Sequence, residues 1–212
     1  MTRHEILQRV RDLGVVPVVR ASSGQEALQL VESLRAGGID VIELTMTVPG
    51  AIEIIRELCK NPSGAIVGAG TVLDPETARA CILAGAQFVV SPATDLGTIA
   101  LCRTYGVPIM AGALTPTEVV AAWKAGSDLV KVFPCGAVGG ASYLKALKAP
   151  LPQIELVPTG GVSLETVGDF IKAGAAAVGA GADLVDPKKE RGYVTERARL
   201  YVQAVAKARG KS

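Results

Sequence analysis

The stretch KAGSDLVKVFP, Lys124 to Pro134, carries the pattern from which the fold can be read. Ala125-Gly126 stops a helix, because glycine fills the left-handed C-terminal position without strain. Leu129, Val130 and Val132 then read as a short strand buried on both faces, as in a parallel sheet. The same junction recurs as RAGG, LAGA and KAGA, which puts Gly37, Gly85 and Gly174 in that left-handed position just before further strands. Lys131, in the middle of an apolar run, is the one residue this pattern does not explain.

Working outward, short runs rich in Val and Ile occupy residues 15–20, 41–46, 65–72, 88–92, 108–113, 129–134, 155–161 and 177–185, eight in all. The segments between them have helical periodicity. In residues 23–36, Ala27, Leu28, Val31 and Leu34 fall on one face. Ser23, Asp74, Thr115 and Ser163 stand where N-caps belong, and Pro75 and Pro116 follow two of them at the first helical position. Eight strands alternating with helices either close into a (β/α)8 barrel or stay open as a doubly wound sheet. The even spacing favours closure, and the segment after the first strand reads RASSGQE where an open dinucleotide sheet would carry G-x-G-x-x-G. The expectation is one α/β domain over residues 1–212, a TIM barrel with an N-terminal helix over 2–13 and a C-terminal helix from about Thr195 to Arg209.

Composition narrows the partners. The chain has 212 residues, 49% hydrophobic, and its 22 basic and 20 acidic side chains nearly cancel, so no broad field exists to hold nucleic acid or an anionic membrane. The most apolar tract, Ala173 to Ala182, is about half the length a bilayer requires. Four cysteines lack C-x-x-C spacing and the opening residues lack the apolar core of a signal peptide, which fits a reducing cytoplasm. The single histidine, His4, has no second histidine with which to share a metal. Cys135 reads as small apolar filler, and Trp123 and Tyr143 as helix residues for packing or a subunit contact.

In a barrel of this kind the chemistry sits at the C-terminal strand ends. Those ends carry Arg20, Glu43 with Thr45, Thr71, Lys131, and Thr159-Gly160-Gly161. Strand alternation puts Lys131 on the face of Leu129 and Phe133, and Glu43 on the face of Val41 and Thr45, so both charges point into the barrel. Two readings follow. Lys131 and Glu43 form a structural ion pair, or the lysine is a nucleophile. An amine shielded from water loses its proton more readily, attacks a carbonyl, and makes an iminium that accepts electrons, while a neighbouring carboxylate moves protons. Gly160 and Gly161 after the seventh strand, and Gly179 and Gly181 on the eighth, stand where this architecture commonly binds phosphate on backbone amides. Tight packing is the other use of such glycines.

The segments VIELTMTVPGA, IVGAGTVLDPE, AGAQFVVSPATD, ALTPTEVVAA, LVKVFP, YLKALKAPLPQ and PTGGVSLE, in this order, resemble the bacterial 2-keto-3-deoxy-6-phosphogluconate (KDPG) and 4-hydroxy-2-oxoglutarate aldolases across nearly the whole barrel. The resemblance implies a metal-free class I aldolase without a cofactor, splitting a 2-keto acid into pyruvate and an aldehyde through a Schiff base on Lys131. It implies Glu43 as the proton-transfer group, Arg20 and Thr71 at the pyruvate carboxylate, Phe133 lining the site, and Thr159, Gly160 and Gly161 at the phosphate end. It also implies a homotrimer. Many members carry serine after the strand-eight glycine Gly181, where this chain has Ala182, so the phosphate end lacks one hydroxyl. The rival readings are a metal-dependent barrel enzyme and a catalytically silent or engineered trimeric scaffold.

Overall fold

The computed structural model describes residues 1–60 and 64–210. Its eight strands are β1 (Val15–Val19), β2 (Val41–Thr45), β3 (Ile66–Gly70), β4 (Phe88–Val90), β5 (Ile109–Ala113), β6 (Leu129–Val132), β7 (Leu156–Pro158) and β8 (Val178–Ala180). All pair in parallel in the order 7-6-5-4-3-2-1-8, and the two outermost strands meet through a bridge between Thr159 and Gly179. Every strand residue is buried. That is why the runs carry no polar alternation: one face packs inside the barrel and the other under the helices.

The helices are α1 (Arg3–Leu13), α2 (Gly24–Ala36), α3 (Ala51–Lys60), α4 (Pro75–Ala84), α5 (Leu96–Tyr105), α6 (Pro116–Ala125), α7 (Gly140–Lys148), α8 (Val167–Lys172) and α9 (Arg191–Ala208). Ser23, Asp74 and Thr115 cap α2, α4 and α6 through side-chain oxygens that accept from the amides of Glu26, Thr77 and Glu118. The (β/α)8 barrel read from the sequence is thus the observed architecture, with its N-terminal helix in place. Three arginines of α1 locate that helix: Arg3 pairs with Asp128, Arg9 with Asp40 and Arg11 with Glu155, at 2.6, 2.6 and 2.7 Å. Each acid immediately precedes a strand, so α1 lies across the N-terminal mouth of the barrel and leaves the opposite mouth for chemistry.

Three local expectations are corrected. Ser163 does not cap α8: its amide donates to Thr166 Oγ1 at 2.8 Å, the chain turns through residues 164–166, and α8 starts at Val167. The left-handed glycine after α2 is Gly38, with φ 93°, whereas Gly37 has φ −86°. Gly37 is needed for closeness instead, since a Cβ there would stand 2.4 Å from the Ala198 side chain on α9. Finally, α9 begins at Arg191, a full turn before Thr195.

Candidate active site

Lys131 and Glu43 face each other inside the barrel. They are 5% and 2% exposed, and Lys131 Nζ lies 3.8 Å from Glu43 Oε1. That is ion-pair range but beyond a hydrogen bond. Glu43 Oε1 is buried without a hydrogen-bond partner, and Lys131 Nζ makes no hydrogen bond among the described residues. A buried polar oxygen without a hydrogen bond costs about 1–3 kcal/mol, and a purely structural pair relieves this by closing to about 2.8 Å.

The position of Glu43 depends on β3. In the ladder Glu43 pairs with Gly68, and Thr45 pairs with Gly70. A Cβ built on Gly70 would sit 2.1 Å from Glu43 Oε1, so only glycine leaves the carboxylate its room. On β2, Thr45 donates its hydroxyl to the Val19 carbonyl at 3.0 Å and fastens that strand end to β1. Thr71, the residue after Gly70, has φ 60°, a left-handed conformation that is costly for a β-branched side chain. Such strain concentrates at functional sites, and here it lies one residue beyond the glycine that shapes the Glu43 pocket.

Lys131 Nζ is also 5.4 Å from the centre of the Phe133 ring, its neighbour on the inward face. Phe133 in turn lines a cavity of about 240 Å³ together with Arg20, Thr159, Gly160, Gly161, Gly181 and Ala182. Seven of the ten residues singled out from the sequence therefore meet around one cavity. Lys131, Glu43 and Thr71 are not among the residues of its wall; Lys131 approaches it through the Phe133 ring, and Glu43 stands behind Lys131. Arg20 is exposed, as a residue just past the end of β1, and still belongs to that wall. Gly160 and Gly161 hold φ of 84° and 77°, which turns the chain sharply after β7. The amides of Gly161, Val162, Ala182 and Asp183 donate no backbone hydrogen bond among the described residues.

Val18, Val162 and Asp183 also line the cavity and were not singled out from the sequence. The valines carry no signal, since they read as core. Asp183 had one: it is the first charged residue after the strand-eight glycines. Cys135 is fully buried beside the site, and burial pushes its thiol up to about 11, which suits inert filler. Trp123 and Tyr143 lie on α6 and α7, and the Tyr143 hydroxyl donates to the Leu114 carbonyl. His4 is exposed on α1. Among the described residues no helix is long and apolar enough to cross a membrane.

With this geometry in hand, the comparisons with known proteins are specific. A family model described as KDPG and KHG aldolase matches residues 6–196. A 2-dehydro-3-deoxy-phosphogluconate aldolase of Treponema pallidum is 37% identical over 171 residues, 81% of this chain and 80% of its own. A crystal structure of KDPG aldolase from Legionella pneumophila, with pyruvate captured at low pH as a covalent carbinolamine intermediate, is similar at TM-score 0.81 and 28% identity, covering 96% of this chain and 97% of that one. A cube-shaped, porous protein cage designed by fusing symmetric oligomeric domains contains a chain similar at TM-score 0.88 and 32% identity, over 93% of this chain and 74% of its own. An inward lysine and glutamate at the C-terminal mouth of a (β/α)8 barrel, and a match over nine-tenths of the sequence, place this chain in the KDPG and KHG aldolase family.

Proposed function

We propose that the protein is a class I aldolase that reversibly cleaves 2-keto-3-deoxy-6-phosphogluconate, or a related 2-keto-3-deoxy or 4-hydroxy-2-keto acid, into pyruvate and an aldehyde. The aldehyde is glyceraldehyde 3-phosphate or glyoxylate. The observation that carries this reading is the Lys131–Glu43 pair, buried together yet 3.8 Å apart, with Glu43 Oε1 unpartnered. A hydroxyl on the carbon bonded to Nζ comes within reach of that oxygen.

In this reading the Lys131 amine attacks the keto carbon, and Glu43 shuttles the proton that turns the carbonyl oxygen into the carbinolamine hydroxyl. Glu43 then protonates that hydroxyl as water leaves, and an iminium remains. Loss of the C4 hydroxyl proton breaks the C3–C4 bond, the aldehyde departs, and the electron pair moves into the iminium to give an enamine. Protonation at C3 and attack by water return pyruvate and the free lysine. Arg20 and Thr71 hold the pyruvate carboxylate. Thr159 and the amides around Gly160, Gly161, Gly181 and Ala182 receive the far end of the substrate. The reaction needs neither metal nor cofactor.

The whole chain acts as one domain, in the cytoplasm, where its four free cysteines stay reduced. It assembles as a homotrimer. Leu73, Leu83 and Leu96, at 60–66% exposure on α4, α5 and the loop before α4, support a subunit contact, as does the likeness to a chain of symmetric oligomeric domains. That likeness also favours a second reading, an inert trimeric scaffold, against which the retained Lys131, Glu43, Arg20 and Thr71 weigh.

Borohydride added with pyruvate tests the two readings. The expected result is irreversible inactivation with a reduced pyruvyl adduct on Lys131, insensitive to EDTA. An adduct on another lysine, or none, overturns the mechanism. A retro-aldol panel of phosphorylated and unphosphorylated 2-keto acids, read as pyruvate release, then identifies the substrate.

A further inference from the structure

The far wall of the cavity contains an acid. Asp183 directly follows Ala182, lines the cavity, and leaves 30% of its side chain exposed. An uncompensated carboxylate at this place repels a phosphate group, and the repulsion is strong because the surroundings screen charge less than water does.

Arg197, reaching in from α9, meets that carboxylate. Its Nη2 pairs with Asp183 Oδ2, and its Nε donates to the Asp183 carbonyl at 3.1 Å, so the guanidinium grips side chain and backbone of one residue. The arginine is itself only 17% exposed. Tyr193 and Tyr201 lie one turn before and one turn after it on α9, with ring centres 5.8 and 6.0 Å from the guanidinium, and hold it in place. The Tyr201 hydroxyl donates to the same Asp183 oxygen at 2.5 Å, and the Leu164 amide donates at 3.2 Å. Burial and the neighbouring Asp183 push the Tyr201 phenol above its ordinary range, so it stays a donor. Three donors thus converge on Oδ2, from α9 and from the loop after β7. Arg197 is the only one of the three that brings a positive charge.

We infer that Arg197 is a specificity-determining residue: by neutralising Asp183 it turns the far wall of the cavity from one that repels a substrate phosphate into one that admits it. The inference rests on the aldolase reading of the same cavity. Arg197 lies one residue beyond the segment that matches the family model, and it acts as a positioning residue through Asp183. With Ala182 in place of a serine hydroxyl, charge balance carries more of the selectivity at this wall than a single hydrogen bond does.

The test compares kcat/KM for 2-keto-3-deoxy-6-phosphogluconate with that for its unphosphorylated counterpart in four proteins. Arg197→Gln lowers the ratio of the two about tenfold or more, through KM for the phosphorylated substrate. Arg197→Lys, which keeps the charge and loses the forked contacts, retains most of the ratio. Asp183→Asn combined with Arg197→Gln removes both charges and restores it. A ratio that falls equally with lysine and glutamine, or that the double variant leaves low, assigns Arg197 a purely structural role and overturns the inference. Inorganic phosphate provides a readout independent of turnover. It should raise the melting temperature of the wild type and the double variant, and raise it less in Arg197→Gln. Failure of phosphate to stabilise the wild type also overturns the inference, whereas a wild type that binds phosphate but cleaves no 2-keto acid overturns only the aldolase reading.

Discussion

Around Lys131, β2 and β3 are five residues long and β6 four, and the proposed chemistry hangs from side chains within the strands. At the opposite end β7 and β8 have three residues each, joined by the Thr159–Gly179 bridge, and the wall is largely backbone with small side chains. Strand ladders fix a side chain in position and direction, which is what a nucleophile and its proton donor require. Backbone amides around glycine fit an anion of several shapes, which is what a wall facing variable substrates requires. One end should therefore be intolerant of any change, and the other should be tunable.

The lysine end can be broken most completely. Lys131→Met keeps the side-chain length and removes the amine. It should lower kcat by about 10⁴-fold or more with the circular dichroism spectrum unchanged, and borohydride should no longer trap pyruvate. Glu43→Gln keeps the shape and loses the basicity, so exchange of the pyruvate methyl protons should slow by about 10²- to 10⁴-fold, with a much smaller effect on pyruvate binding. If the substitution instead destabilises the protein and exchange on the folded fraction stays near wild type, Glu43 is only a counter-ion.

Glycine substitutions separate the two ends more finely. Gly70→Ala places a methyl 2.1 Å from Glu43 Oε1 and should displace the carboxylate, slowing the same exchange by about 10²-fold. At Gly181 an added Cβ would meet nothing closer than Arg20 Nη1 at 3.6 Å, an ordinary contact, so Gly181→Ala should leave stability within about 1 kcal/mol. Equal damage from both would erase the contrast between the ends. Ala182→Ser should act on affinity and leave the fold alone. One restored hydrogen bond to a charged group is worth about 1.5 kcal/mol or more, so KM for a phosphorylated substrate should fall about tenfold and that for an unphosphorylated one should not. No change for either substrate would show that this position does not touch phosphate.

Legibility in the sequence followed the same division. Lys131 and Glu43 stand out because a charge inside an apolar β-branched run demands a partner or a function, and two-residue alternation fixes which face each occupies. The barrel was equally plain from the recurrent helix stops and strands. The far wall was harder. Residues 177–185 look like one strand because Leu184 and Val185 are as buried as strand residues, yet their amides both turn back to the Gly181 carbonyl at 3.0 and 2.8 Å. That turn is what presents Asp183 to the cavity, and nothing in the apolar pattern marks it. Ser163 misled for a related reason, since Thr166 accepts from its amide and the chain tightens before the helix. Arg197 and Tyr201 belong to a helix separated from β8 by ten residues, and periodicity alone does not say which distant loop such a face will reach.

The unpartnered oxygen of Glu43 bears on how a lineage carrying this barrel changes over generations. Replacing a buried charge pair by well-packed apolar side chains is often neutral or stabilising, by about 1–4 kcal/mol. On the proposed mechanism, heat tolerance and turnover therefore select in opposite directions at positions 43 and 131. Where turnover ceases to matter, drift has no thermodynamic barrier to cross, and the outcome is a sturdier barrel with an empty, inert mouth.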